Sequence, residues 1–228
     1  MSKRMNQVAE ATHSTGVCAF SDAVALLKKQ PPVKFDESVD IALHVGVDPR
    51  KHTVRGVSQL PHGQGRAVKV AVFAQGDDAK AALDAGADMA GSEDLIEKLK
   101  KGPIDVNVVI ATPDMMKMIA PLAKVLGPKG LMPNPKMGTV TPHVAEAVAG
   151  AKKGQAGFRL DKAGIIHTSI GRLSFSEEQL SENLKQLLAD IKRLKPAQAK
   201  GQYLKKLSVS TTMGAGIHVD LKSVEQEG

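Results

Sequence analysis

Two different periodicities divide the chain. Between residues 68 and 126, short β-branched runs alternate with stretches of helical period. Residues 68–74 (VKVAVFA) and 105–111 (DVNVVIA) predict strands, the first closed by Gly76. Residues 77–85 predict a helix, opened by Asp77 and Asp78, whose charge suits a helix N-terminus, and stopped at Gly86. A second helix is expected from Ser92-Glu93-Asp94 to Lys101-Gly102. A third is expected over 115–126, with Pro113 at its first turn and Pro121 tolerated inside. Alternation of strand and helix predicts parallel strands with helices on both faces.

The flanks are patterned differently. Residues 3–13 and 22–30 predict helices, the latter capped by Ser21. Residues 39–47 alternate apolar and polar side chains over their second half, as a half-buried strand does. Further strands are expected at 54–60, 157–160 and 165–170. The clearest helix spans 176–195, where Ser176 and Gln179 match a capping box and Pro196 follows the end. Residues 203–212 and 217–221 predict a closing pair of strands joined by Met213-Gly214-Ala215-Gly216. The pattern assigns no element to residues 139–151.

An insertion accounts for this change of pattern most economically. Residues 1–66 and 159–228 then form one split α+β domain from both chain ends, and residues 67–158 form an inserted α/β domain of Rossmann-like shape. Two crossings, 60–65 (LPHGQG) and 152–157 (KKGQAG), read as a double hinge, because Gly and Pro punctuate domain junctions.

Composition narrows the class. The chain has 228 residues, 42% hydrophobic and 24% charged, the mix of a folded domain pair and not of a disordered tail. A single cysteine, Cys18, excludes an intramolecular disulfide and a multi-cysteine zinc site. No apolar run approaches the ~20 residues that span a bilayer, and the polar N-terminus lacks the hydrophobic region of a secretory signal. A cytoplasmic protein without membrane contact is expected. The net charge is +7, which favours a polyanionic partner. All seven arginines (Arg4, Arg50, Arg55, Arg66, Arg159, Arg172, Arg193) fall in the outer segments. Since the guanidinium fork suits phosphate and base-edge contacts, the anion-binding surface is expected there, although solvated helix charge explains the same count. With no Trp and one Tyr, a surface that binds single strands by stacking on many aromatics is not expected.

Enzyme signatures are missing. There is no Gly-x-x-x-x-Gly-Lys-Ser/Thr loop, and Gly63-Gln64-Gly65 precedes a strand, where a dinucleotide fingerprint follows one. The first α/β strand leads into Gln75-Gly76-Asp77-Asp78, whose carboxylates repel a pyrophosphate. The seven histidines are dispersed, and no nucleophile, base and oxyanion site assemble, so no cofactor, metal or catalytic residue is expected.

Two segments carry more information. Residues 127–138 (GPKGLMPNPKMG) combine fixed φ at three prolines with close backbone approach at three glycines, either as a rigid connector or as a contact loop. In residues 207–216 (LSVSTTMGAG), Ser208, Ser210 and Thr212 share one strand face at ~6.6 Å spacing. Such a row is an ordinary polar face or a set of hydroxyls that meets ribose 2′-OH groups.

With Ser210–Gly214 (STTMG), the run 127–138 resembles the bacterial large-subunit ribosomal protein L-one family, as do Lys34-Phe35-Asp36-Glu37-Ser38-Val39, Val54-Arg55-Gly56, Leu60-Pro61-His62-Gly63 and residues 161–167 (DKAGIIH). The resemblance covers essentially the whole chain. It implies a split α+β domain with an inserted three-layer α/β domain. It also implies binding to the stalk helices of large-subunit rRNA, a part in releasing deacylated tRNA from the exit site, repression through the protein's own operon mRNA, and a monomer outside the ribosome. Carried over by position, the RNA contacts are Lys34, Phe35, Glu37, Ser38, His167, Ser210, Thr212, Met213 and Gly214. One departure stands out: only Lys51-His52-Thr53 separate Arg50 from Val54, where the family has a longer polar stretch. A nucleotide-binding enzyme and a non-specific basic binder are the competing classes.

Overall fold

A computed structural model describes residues 8, 16–31, 33–50, 52–92, 94–96, 105–196, 199 and 201–226. It is a mixed α/β protein. The chain divides into two compact units, one formed by residues 1–65 with 156–228 and the other by residues 66–155.

In the first unit, strands β1 (Ser38–Val45), β7 (Ile165–Arg172), β8 (Leu204–Thr211) and β9 (Ile217–Val219) form a sheet in the order β7-β1-β8-β9. All three pairings are antiparallel. β1 alternates half-buried and buried residues over its whole length, so Val39, Ile41, Leu43 and Val45 enter the core while Ser38, Asp40, Ala42 and His44 line the other face. Helices α1 (Phe20–Lys29) and α6 (Glu177–Arg193) cover the apolar face, contributing Phe20, Val24, Leu27, Leu180, Leu184, Leu187 and Ile191 to one core. A two-stranded ribbon, β2 (Arg55–Gln59) with β6 (Gln155–Arg159), adds Phe158.

Helix α6 has the capping box that its sequence predicts: Gln179 N donates to Ser176 Oγ (3.2 Å) and Ser176 N donates to Gln179 Oε1 (3.0 Å). Its Asn183 is completely buried and ties three segments together. Nδ2 donates to Gly63 O (3.0 Å) and Ile170 O (2.8 Å), while Oδ1 accepts from His62 N (3.1 Å). Ile170 is the residue skipped where the β1–β7 register shifts between Val39 and Asp40, so the carbonyl freed at the bulge is satisfied by Asn183.

Several boundaries differ from the sequence expectations. Helix α1 starts at Phe20 with Ala19 at the N-cap, so Ser21 lies inside it and caps nothing; burial of Phe20 sets the start. The last strand stops at Val219, and α7 (Leu221–Gln226) follows, because Asp220 Oδ1 accepts from Lys222 N (3.0 Å) and opens a helical turn. The expected helix over 3–13 lies outside the described residues, apart from Val8, which is helical and buried.

The second unit holds a parallel sheet, ordered β4 (Met89–Gly91), β3 (Val70–Phe73), β5 (Val108–Ala111). All four β3 residues are buried, and they alternate between two clusters: Ala71 and Phe73 in one, Val70 and Val72 in the other. The central strand is therefore covered on both faces, as a parallel sheet requires. Helices α2 (Asp77–Asp84) and α5 (Val144–Lys152) pack with Val70 and Val72 through Ala82, Val144 and Val148. α5 and β4 fall where the sequence pattern assigns no element. Residues 113–126 alternate α and 3-10 turns, including α3 (Met116–Ile119) and α4 (Ala123–Leu126), because Pro121 interrupts the ladder. Of the helix expected from Ser92, Ser92 itself is a bend, residues 94–96 are helical and the remainder lies outside the described residues.

Residues 127–138 are held to the rest of this unit by packing and hydrogen bonds. Leu131 and Met132 pack on the Phe73 cluster, Asn134 N donates to Thr139 Oγ1 (2.8 Å), and Ala111 N donates to Thr139 O (2.9 Å).

Candidate nucleic-acid interface

The sheet face left open by the helices in the first unit carries the candidate site. Cross-strand partners in an antiparallel sheet share a face, so the registers arrange the open side in rows. One row runs His218, Ser208, Ala42, His167, and the next runs Ser210, Asp40, Ser169. The expected alternation of Ser208, Ser210 and Thr212 is present: Ser208 and Ser210 are half-buried and Thr212, just beyond β8, is exposed.

The edge of this face is a directional hydroxyl relay. Ser38 N donates to Thr212 Oγ1 (3.1 Å), the two hydroxyl oxygens lie 2.9 Å apart, and Ser38 Oγ donates to Asp40 Oδ2 (3.1 Å). Ser38 Oγ donates to Asp40 Oδ2, which leaves Thr212 as the donor in the hydroxyl pair. Both hydroxyls have spent their protons inward and keep lone pairs facing out. This edge accepts hydrogen bonds; it does not donate them. Phosphate oxygens, which also only accept, gain nothing there, whereas a ribose 2′-OH can donate. Farther along, Ser208 Oγ lies 2.9 Å from His218 Nδ1.

The strap before β1 is held by its neighbours. Asp36 accepts from Ser174 N (3.2 Å) and Ser174 Oγ (2.8 Å), its carbonyl accepts from the Arg172 guanidinium, and Glu37 O accepts from Leu173 N (2.8 Å). This pinning leaves Phe35 52% exposed beside exposed Lys34. On the other side of the Ser38–Thr212 pair, Met213 is 49% exposed. Gly214 is required by contact: a Cβ there would lie 2.2 Å from Thr211 Oγ1 and 2.3 Å from Gln30 Oε1. Those two oxygens and Gln30 Nε2 are buried without hydrogen-bond partners among the described residues. Each such group typically costs about 1–3 kcal/mol.

Of the nine residues expected from sequence, Lys34, Phe35, Ser38, Thr212, Met213 and Gly214 gather at one end of the sheet, and Ser210 continues their face. His167 is exposed on that face, but its partner Ala42 lies four residues from Ser38, roughly 13 Å along the strand. Glu37 does not join them. It is 4% exposed, because β1 alternation turns it inward one residue before Ser38. Sequence reasoning missed Asp40, which orients the hydroxyls, and it missed Gln30 and Thr211 beneath Gly214. Period-2 counting back from His44 finds Asp40; nothing local marks Gln30.

Residues 26–215 match the ribosomal protein L1p/L10e family. The chain belongs to this family. It is 55% identical over 227 residues to the large ribosomal subunit protein uL1 of Shewanella oneidensis, an alignment covering 99% of this chain and 97% of that relative. Membership places this L1-family chain among ribosomal proteins and not among enzymes, which sets aside the nucleotide-enzyme reading. The match includes all nine residues expected at the site from sequence, leaves out His218 of the open face, and ends one position beyond Gly214. No helix among the described residues is long and apolar enough to cross a membrane, and no group of His, Cys, Asp or Glu among them is placed to hold a metal.

Proposed function

We propose that this L1-family chain is a component of the large ribosomal subunit and grips the stalk helices of its rRNA through the open sheet face of the unit built from both chain ends. The chain works in the cytoplasm on the ribosome, and is monomeric outside it. On the ribosome it assists release of deacylated tRNA from the exit site, and it represses translation by binding its own operon mRNA. The observation that carries RNA binding is the Asp40–Ser38–Thr212 relay, an acceptor edge suited to ribose 2′-OH groups, flanked by the exposed apolar side chains of Phe35 and Met213. Lys34 adds charge beside it. Membership of a ribosomal family and the named relative support the same reading.

The test is a binding titration of the intact protein against a stalk fragment of large-subunit rRNA and the same fragment with 2′-deoxy positions. Tight binding to the first, weakened by at least about tenfold in the second, is expected, since each lost hydrogen bond is worth ~0.5–1.5 kcal/mol and several are replaced together. Equal affinity for RNA and DNA of any structure, falling alike with salt, would instead mark a non-specific basic binder.

A further inference from the structure

A pocket of about 270 Å³ opens beside the relay, between the end of α1 and the strap of residues 33–37. Leu27, Val33 and Leu173 supply apolar wall, Phe35 stands at its rim half exposed, and Gln30 and Glu37 are polar members of the lining. No basic side chain lines it among the described residues, and two carboxylates do, Asp36 and Glu37, so an anionic phosphate is disfavoured as occupant. Gln30 is 8% exposed, and both its carboxamide atoms lack hydrogen-bond partners among the described residues. A buried carboxamide left unpaired is unusual in a folded protein and calls for a partner supplied from outside.

We propose that this pocket receives one unpaired adenine of the bound RNA, stacked on Phe35 and read by Gln30; the inference rests on the RNA-binding reading of the adjoining face. A carboxamide presents a donor and an acceptor side by side, the complement of adenine N6 and N7. Unstacked bases of RNA loops are held by such pairing together with an aromatic platform. Gln30 Oε1 abuts Gly214, two residues from Thr212, so a nucleotide whose ribose sits on the relay has its base close to the pocket. In the free protein the carboxamide is sealed from solvent, and engagement requires it to turn into the pocket.

The experiment replaces each unpaired adenine of a stalk rRNA fragment by an abasic site, one at a time, and measures affinity for the parent, Gln30→Leu and Phe35→Ala. Gln30→Leu exchanges an unpaired carboxamide for an apolar group of similar size, so it is expected to fold and to raise the unfolding temperature. One abasic position is expected to weaken parent binding by roughly tenfold or more, and to weaken binding of both variants by less than about twofold. Parent binding with no position that couples to Gln30 and Phe35 overturns the pocket and leaves the RNA-binding reading standing. Failure of the parent to bind the fragment overturns both.

Discussion

At the residue scale, the proposed recognition turns on a single carboxylate. Asp40 fixes the proton order of Ser38 and Thr212, and so turns two ambivalent hydroxyls into outward acceptors. Asp40→Asn leaves size and burial nearly unchanged but allows the order to reverse; it is expected to narrow the affinity gap between RNA and 2′-deoxy RNA with the fold intact by circular dichroism. Thr212→Ala removes one member and should cost about 1–2 kcal/mol of RNA binding. Met213→Asp should cost more by setting a charge beside phosphates, and unchanged affinity in both would remove this edge from the interface. Gly214→Ala drives a methyl group into two buried oxygens; it should destabilise the fold by about 1–3 kcal/mol and weaken RNA binding, read by urea unfolding and titration. The site was partly legible in the sequence. Ser210, Thr212 and Met213 lie within one run, and the strand period places the hydroxyls together. The burial of Glu37 was not legible, because a charge one residue before a strand can point either way, and only the sheet register decides.

At the element scale, local signals and long-range packing succeed in different places. The α6 cap needs only four adjacent residues, Ser176 to Gln179, so sequence reveals it; Ser176→Ala should cost about 1 kcal/mol, measured as a lower urea midpoint with an unchanged slope. The start of α1 is set instead by burial of Phe20 in a core assembled from distant segments, which Ser21 outwardly mimics as a cap. The three-residue β4 exists because β3 offers it a parallel edge, and no period is readable over three positions. In α5, alanine and glycine dominate Val144–Lys152, so its apolar stripe is faint in the sequence although Val144, Val148 and Ala151 are buried.

At the scale of the whole molecule, each unit has its own hydrophobic core: one cluster lies wholly in the unit of the chain ends, two in the other. Charge follows a similar division by residue type, since six of the seven arginines fall within residues 1–65 and 156–228, and Arg66 alone falls in the other unit, as its first residue. The middle unit instead places Asp88 where Val70 N and Lys152 Nζ both donate to it at 2.8 Å, and these contacts, that with Lys152 first, hold its carboxyl below its ordinary value of 3.8. A lowered value means that the stabilisation is present above 3.8 and lost as pH falls through the lowered range. Asp88→Asn is therefore expected to destabilise this unit at neutral pH, by less than about 1 kcal/mol for so exposed a pair, and to converge with the parent in acid melts.

The central claim is that the open face of the first unit holds ribosomal RNA. Ultraviolet cross-linking in cells, followed by sequencing of the RNA and mapping of the linked peptides, tests it directly. The expected result is large-subunit stalk rRNA joined to peptides containing Phe35 and Met213. Cross-links confined to other surfaces, or RNA with no stalk sequences, would contradict it.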